Sequence, residues 1–214
     1  MKLYGYFRSS AAYRVRIALA LKGLTFENIP INLVPGVSQQ KSEDYRAVNP
    51  QGRVPFFEDG AVAISQSPAI LEYLEETFPE VPLLPTGTAD RAVVRQLASL
   101  IGCDIHPLNN LSVLQTLKHD FDASQGAVDG WYHKWILEGF GALEALLANT
   151  AGEFCFGDSP TLADIYLVPQ VWNARRFEVP LSAFPLIEKV DAACNALEPF
   201  KKAAPENQPD APQE

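Results

Sequence analysis

The segment MKLYGYFRSSAAYRVRIAL, residues 1–19, decides how the fold begins. KLYGYF alternates apolar and polar side chains, which predicts a β-strand, and RSS predicts a turn. A helix is expected from about Ala12 to Lys22, ending at Gly23, a residue typical of helix C-termini. A strand, turn and helix in this order aim backbone N–H groups at one place, where the positive end of the helix dipole attracts anions.

Three side chains in this turn suit an anion. Arg8 supplies a full positive charge, and Ser9 and Ser10 supply hydroxyl groups. Serine is also among the commonest N-cap residues. The local pattern therefore fits either an ordinary helix cap or an anion site, and other segments must decide between them.

The next segments complete a βαβαββα order. A second strand is predicted in TFENIPINL, residues 25–33, and a hairpin around Asp59 and Gly60. The amphipathic pattern of SPAILEYLEETF, residues 67–78, predicts a helix with Pro68 at its first position. We expect these elements to form one α/β domain over residues 1–80.

The rest of the chain has helical periodicity. VPLLPTGTAD, residues 81–90, is rich in Pro, Gly and Thr and predicts a linker. Residues 91–214 predict an all-helical domain, in which Thr161 and Asp164 form a capping box. Its end, AAPENQPDAPQE, is expected to be too polar and proline-rich to pack by itself. The predicted fold class is thus α/β plus all-α.

Composition and residue spacing argue against several classes of function. The 214 residues are 47% hydrophobic, enough to bury a substantial core, and the net charge of -9 argues against nucleic-acid binding. Cys103, Cys155 and Cys194 are widely spaced, which favours buried structural thiols over a disulfide or redox centre. The histidines have no metal-ligand spacing, and we predict no metal site. No signal peptide or membrane span is evident, which predicts a cytoplasmic protein.

Four segments carry a family resemblance: SSAAYRVRIALALKG, NPQGRVPFFEDG, QSPAILEYLEE and NNLSVL. With the predicted element order, they resemble the zeta class of the cytosolic glutathione transferases over nearly the whole chain. The resemblance implies a thioredoxin-like, glutathione-binding N-terminal domain and a helical-bundle substrate domain. Where the family usually has Cys and then Trp, this chain has Ala11 and Tyr13. A protein thiol in the turn is therefore missing, whereas the serine-based handling of glutathione is retained.

The resemblance implies an enzyme with glutathione as cofactor. Its expected reaction is the cis–trans isomerisation of maleylacetoacetate to fumarylacetoacetate in aromatic amino acid catabolism. The alternatives are isomerisation of maleylpyruvate in gentisate breakdown, a transferase or α-haloacid dehalogenase activity and, least favoured, a non-catalytic binding module. The implied partners are a small dicarboxylate diketo acid and a second copy of the chain, with an exposed Phe56 or Phe57 as anchor.

Site residues follow from the same resemblance. The candidates are Arg8, Ser9, Ser10, Val54, Gln66, Ser67, His106, Asn110, Arg175 and Arg176. Ser10 is assigned to the glutathione sulfur, and Ser9 to the shape of the turn. The backbone of Val54, before a cis Pro55, is assigned to the cysteinyl backbone of glutathione.

Other members of the set are assigned to carboxylates. Gln66 and Ser67 are assigned to the γ-glutamyl carboxylate. Arg8 and Arg176 are expected to hold the substrate carboxylates, with Arg175 in support.

Two assignments remain open between site and structure. His106 and Asn110 lie four residues apart and are expected to share a helix face beside the active site, although His106 fits a packed or capping role as well. Arg14 and Arg16 lie two apart and face different sides of a helix, which favours structural ion pairs over substrate contact.

Overall fold

The computed structural model describes residues 1–212 of the chain, which form two compact units. The first unit comprises Met1–Pro82 together with the segment that begins at Ala196, and the second comprises Leu83–Asn195. The predicted domains divide the chain differently at its end, because the C-terminal segment packs with the first unit. The last two residues of the predicted polar tail lie outside the described residues.

The first unit has the predicted βαβαββα order. Its elements are β1 (Lys2–Gly5), α1 (Ser10–Leu21), β2 (Glu27–Pro30), α2 (Glu43–Val48), β3 (Phe56–Asp59), β4 (Val62–Ser65) and α3 (Ser67–Thr77). The strands lie in the order β2-β1-β3-β4, with β1 parallel to β2 and antiparallel to β3. The predicted hairpin joins β3 to β4, with Gly60 at a positive φ of 58° that glycine adopts without strain. Pro68 is the second residue of α3, one position later than predicted.

Helix α1 lies in the core of the first unit. Every residue from Ala12 to Leu19 is buried, because α1 packs against β1, α3 and a further helix near the C-terminus. The sheet contributes Leu3 and Phe57, both 0% exposed. Phe56 is 7% exposed, so the prediction of an exposed aromatic anchor after Pro55 is wrong. The two side chains point to opposite faces of the sheet, and each is covered by an aromatic ring, Phe56 by Tyr4 and Phe57 by Tyr73.

The C-terminal segment packs although its composition is polar. The chain forms a short helix at Glu198–Ala203 and a 3₁₀ turn at Pro205–Asn207, and the helix packs against α1. Phe200 is 0% exposed and Ala203 2%. Together with Ala204 and Pro205, which are also buried, these side chains hold a segment that composition alone does not predict to pack.

The second unit is helical. Its elements, continuing the numbering of the helices, are α4 (Thr88–Ser99), α5 (Leu111–His119), α6 (Gln125–Thr150), α7 (Leu162–Arg176) and α8 (Pro185–Ala196), and the C-terminal helix of the first unit, Glu198–Ala203, is α9. No helix among residues 1–212 is long and apolar enough to cross a membrane.

The path between α4 and α5 departs from regular helix. A π-helical turn at Leu100–Ile105 leads into a 3₁₀ turn at His106–Leu108. A Cβ placed on Gly102 would lie 2.8 Å from the ring of Tyr166, so only glycine lets α7 approach this closely. Sequence periodicity predicted helix throughout this stretch and did not reveal the interruption.

The predicted capping box of Thr161 and Asp164 is present at the start of α7, where both residues are buried. The Asp164 carboxylate accepts hydrogen bonds from the Thr161 N–H at 2.8 Å, the Thr161 hydroxyl at 2.9 Å and the Cys155 N–H at 2.8 Å. Burial raises the pKa of the Asp164 carboxyl and of the Cys155 thiol. Cys155 and Cys194 are buried, as expected, whereas Cys103 is exposed on the π-helical turn.

Candidate functional site

Ser9 and Ser10, in the turn between β1 and α1, have different positions relative to the helix. Ser9 is the N-cap of α1: its Oγ accepts a hydrogen bond from the Ala12 N–H at 3.2 Å. Ser10 is the first helical residue and is 6% exposed. The Ser9 hydroxyl therefore shapes the start of the helix, in line with its assignment to the turn. The buried position of Ser10 at the N-terminus of α1 supports our proposal that Ser10 acts on a ligand.

Arg8 and the N-terminus of α1 bring positive charge to this turn, and the Asp210 carboxylate, which accepts from the Phe7 N–H, offsets part of it. The first turn of α1 contains no acidic side chain that would neutralise the dipole of the helix. The Arg8 guanidinium donates to the Tyr6 hydroxyl at 3.2 Å and lies 5.2 Å from the centre of the Phe7 ring. Among residues 1–212, no carboxylate forms an ion pair with Arg8. The turn thus has the charge that an anionic sulfur or carboxylate requires.

A backbone segment with unused hydrogen-bonding groups precedes β3. The Val54–Pro55 peptide is cis, as the resemblance implied. Within the part of the chain that the structure describes, the Val54 N–H and C=O form no hydrogen bond. The loop before Val54 is fixed by the Asn49 amide and the Tyr45 hydroxyl, which donate to the Arg53 carbonyl at 2.7 and 2.8 Å. The Val54 groups are thus available to pair with an extended peptide.

The N-terminus of α3 has a second set of unused donors. Gln66 has φ 72°, a positive value that is uncommon for a residue other than glycine and is often found at functional sites. Ser67 is 3% exposed, yet its N–H and hydroxyl form no hydrogen bond with any of residues 1–212. The Gln66 amide donates to Gln51 at 2.8 Å. Two partly buried donors at a helix N-terminus match the requirements of a carboxylate.

His106 and Asn110 do not share a helix face, because the chain leaves regular helix between them. His106 begins the 3₁₀ turn, whereas Asn110 is the N-cap of α5. Its Oδ1 accepts from the N–H groups of Ser112 at 2.9 Å and Val113 at 3.3 Å, and its Nδ2 donates to the Pro107 carbonyl at 2.6 Å. The Asn110 amide therefore serves the fold, and the expectation of a shared face was wrong.

The two arginines at the end of α7 have different surroundings. Arg175 forms an ion pair with the Asp191 carboxylate at 2.5 Å, and Asp191 is itself 2% exposed. Burial raises the pKa of the Asp191 carboxyl, and the Arg175 charge opposes that rise. Arg175 is thereby committed to fixing α7 to α8.

Arg176 is the exposed last residue of α7. Its guanidinium lies 4.8 Å from the centre of the Phe177 ring, which stacks on Tyr132 at 3.9 Å. The His133 imidazole contacts the Phe177 carbonyl at 2.8 Å and fixes the end of the helix. These contacts hold Phe177, the residue next to Arg176, in place. A residue that clamps a carboxylate needs such support.

Arg16 has a structural role, as the sequence favoured, but with a different kind of partner, and the sequence did not reveal any role for Asp210. Arg16 is 3% exposed and binds backbone carbonyls instead of the predicted carboxylate. Asp210 accepts a hydrogen bond from the Phe7 N–H at 2.9 Å, across a separation of 203 residues. No local pattern signals a contact of that range.

Comparison with known proteins identifies the class. Residues 3–82 match the family described as glutathione S-transferase, N-terminal domain, and residues 127–198 match the glutathione S-transferase, C-terminal domain. The chain belongs to the glutathione S-transferase family.

Its relatives place the chain in the zeta class of that family. It is 49% identical over 213 residues to the maleylpyruvate isomerase of a Ralstonia species, which covers 99% of this chain and 100% of the relative. A solved holo structure of a maleylpyruvate isomerase, a bacterial zeta-class enzyme, superposes with a TM-score of 0.96 at 48% identity over 99% of this chain and 100% of that one.

A second solved structure contains ligands. It is the maleylacetoacetate isomerase of Methylobacterium extorquens AM1 with bound malonate and GSH. Its TM-score is 0.95 at 38% identity, and the match covers 100% of both chains.

Proposed function

We propose that this protein is a glutathione-dependent cis–trans isomerase that converts maleylacetoacetate to fumarylacetoacetate. The observation that carries this proposal is a set of polar groups in the first unit: Ser10 at the N-terminus of α1, the backbone of Val54, and the donors of Ser67. The Val54 and Ser67 groups form no hydrogen bond with residues 1–212. A thiol, an extended peptide backbone and a carboxylate match these groups in turn, and glutathione contains all three.

The chain's own residues would hold glutathione as follows. Val54 pairs with the cysteinyl backbone, and the Ser67 N–H and hydroxyl bind the γ-glutamyl carboxylate, with Gln66 beside them. Bound glutathione would supply a thiolate for reversible addition to the cis double bond, which would allow rotation about that bond.

Ser10 and α1 supply the ionisation that this chemistry needs. A free thiol has a pKa near 8.5, so it is mostly protonated at neutral pH. Lowering that pKa by about two units requires about 2.7 kcal/mol. A hydrogen bond to a charged group contributes about 1.5–3 kcal/mol, and a helix N-terminus adds about 0.3–1 kcal/mol. The Ser10 hydroxyl and the N-terminus of α1 would together contribute about 1.8–4 kcal/mol, a range that includes the requirement.

The arginines act on the substrate. A diketo acid with two carboxylates must keep its ends fixed while its centre rotates, which requires cations at both ends. We propose Arg8 and Arg176 for these roles. Arg175 is less suited because it is paired with Asp191, and a contact of His106 with substrate stays a prediction.

A second candidate substrate is maleylpyruvate, favoured by the 49% identity to the Ralstonia enzyme. The same residues would serve it, because both substrates have two carboxylates around a cis double bond. Transferase or α-haloacid dehalogenase side activity would use the same thiol. We also propose that the protein is a cytoplasmic homodimer.

Glutathione dependence tests the proposed function directly. We expect purified protein to consume maleylacetoacetate and maleylpyruvate only when glutathione is present, since the chain offers no thiol of its own in the turn. Loss of the cis isomer is followed spectroscopically with glutathione, without it, and with S-methylglutathione as the matched control that lacks a free thiol. Equal rates in all three conditions would contradict the proposal, and the ratio of the two rates with glutathione identifies the preferred substrate.

The substitution Arg176→Lys tests the carboxylate clamp. Lys keeps the charge but replaces a planar, bidentate contact with a point charge, so substrate alignment loosens. We expect kcat/KM for the dicarboxylate to fall about ten- to thirtyfold, equivalent to about 1.4–2 kcal/mol. Activity toward chlorodinitrobenzene, which has no carboxylate, should be retained.

The adjacent Arg175→Lys variant is the matched control. It makes the same chemical change at the residue that faces Asp191, where Lys still provides a cation. We expect kcat/KM to change less than about twofold. A larger kinetic loss in Arg175→Lys than in Arg176→Lys would assign the clamp to Arg175.

A further inference from the structure

The turn that leads into α1 is held by side chains from outside it. Within the turn, the Ser9 N–H donates to the Tyr6 carbonyl at 2.9 Å. The Phe7 N–H donates to the Asp210 carboxylate at 2.9 Å, and the Phe7 carbonyl accepts from the Arg16 guanidinium at 2.9 Å. Both backbone polar groups of Phe7 are thus fixed by side chains that do not belong to the turn.

Arg16 also binds the C-terminal segment. Its Nε donates to the Ala203 carbonyl at 3.0 Å, so one guanidinium joins the turn to the segment that contains Asp210. The side chain is 3% exposed, and burial lowers its pKa to about 10, a fall that the charges of Asp210 and Glu206 oppose. Burying a charge in this way is costly unless it is well hydrogen-bonded. The fork of Arg suits several carbonyls at once, as the point charge of Lys does not.

We infer that Arg16 and Asp210 are positioning residues that hold the turn in the shape required for activation of the thiol at Ser10. Short surface turns open at low free-energy cost unless other elements hold them. Displacing a catalytic group by about 1 Å is enough to reduce a rate strongly. The C-terminal segment therefore supports the thiol site through the backbone of Phe7. This inference rests on the proposed function.

The substitution Asp210→Ala tests this inference in the full-length protein. It removes the acceptor of the Phe7 N–H and leaves Ser10 unchanged. We expect the ionisation midpoint of bound glutathione, followed by thiolate absorbance, to rise by about 0.5–1 pH unit. In Asp210→Asn a carbonyl acceptor remains, so the rise should be less than half as large, and this variant also covers the case in which Asp210→Ala does not fold.

Glu206→Ala is the matched control. Glu206 is exposed, lies in the same segment, acts on Arg16 by charge alone, and forms no hydrogen bond with residues 1–212. We expect its thiol midpoint to match that of the wild type. Loss of either negative charge would by itself lower the thiol midpoint, so an equal rise in Glu206→Ala would assign the effect to general loosening of the segment. An unchanged midpoint in Asp210→Ala would assign Asp210 to stability alone; either result overturns the inference.

A further measurement separates this inference from the proposed function. Hydrogen exchange at the Phe7 amide, without glutathione, should become faster in Asp210→Ala and remain unchanged in Glu206→Ala. A wild-type protein that does not lower the thiol pKa would contradict the proposed function. Hydrogen exchange at the Phe7 amide would then still show whether Asp210 holds the turn. An unchanged exchange rate in Asp210→Ala would overturn the role of Asp210 in holding it.

Discussion

Replacing Ser10 with alanine is expected to lower kcat/KM about a hundredfold at neutral pH, because the thiolate loses a hydrogen bond worth about 1.5–3 kcal/mol. Ser10 lies at the N-terminus of α1 with a buried side chain, whereas the neighbouring hydroxyl is already used as a cap. Loss of the Ser10 donor raises the pKa of the bound thiol, so less thiolate is present at neutral pH. Above the raised pKa the thiol ionises without help, and most of the activity should return.

Ser9→Ala is the control for Ser10→Ala. It removes the cap from the Ala12 N–H and should lower the free energy of unfolding by about 1 kcal/mol. The pKa of the bound thiol should remain that of the wild type. The two variants are compared by the pH dependence of kcat/KM and by thiolate absorbance. A raised thiol pKa in Ser9→Ala with none in Ser10→Ala would exchange the roles of the two serines.

Local signals in the sequence predicted most of the fold. The β3–β4 hairpin follows from Asp59 and Gly60, and the start of α7 from Thr161 and Asp164. Each of these features depends on residues within a few positions, so a single sequence contains all the information needed. The βαβαββα order is confirmed for the same reason.

The missed features depend on distant partners. The interruption after α4 lies where Tyr166 approaches Gly102, and neither residue alone distinguishes a π-helical turn from an α-helix. Burial of the C-terminal segment depends on its packing against α1. Asp210 meets Phe7 across 203 residues, and polar composition is no guide to such a contact.

The candidate site divides in the same way. Ser9, Ser10, Gln66 and Ser67 lie at helix starts that the sequence predicted, so their local geometry was foreseeable. The resemblance assigned Ser9 to the shape of the turn, and Ser9 is the N-cap of α1, but the cap hydrogen bond itself depends on exact backbone angles that only the fold reveals. The ion pair between Arg175 and Asp191, on the next helix, could not be predicted without the fold.

Replacing Lys22 with methionine is expected to lower the free energy of unfolding by about 3–5 kcal/mol, a large part of the total for a typical domain. The Lys22 ammonium donates to the Glu75 carboxylate at 3.0 Å and to the carbonyls of Phe78 and Val81 at 2.8 and 2.7 Å. Its three N–H donors match these three acceptors. The two charged side chains are only 1% and 6% exposed, so Met leaves a buried negative charge without the cation it faces.

Urea denaturation of Lys22→Met and of the double variant Lys22→Met/Glu75→Leu measures this effect. Replacing both charges with apolar side chains removes the need to bury either, so the double variant should recover much of the stability lost in the single one. Lys201→Met is the matched control, because its pair with Glu198 is 49% and 85% exposed and should contribute less than about 1 kcal/mol. The effect at Lys22 should also persist at high salt, since buried pairs are weakly screened. A loss in Lys22→Met no larger than that in Lys201→Met would show that water, and not the protein, solvates the Lys22 ammonium.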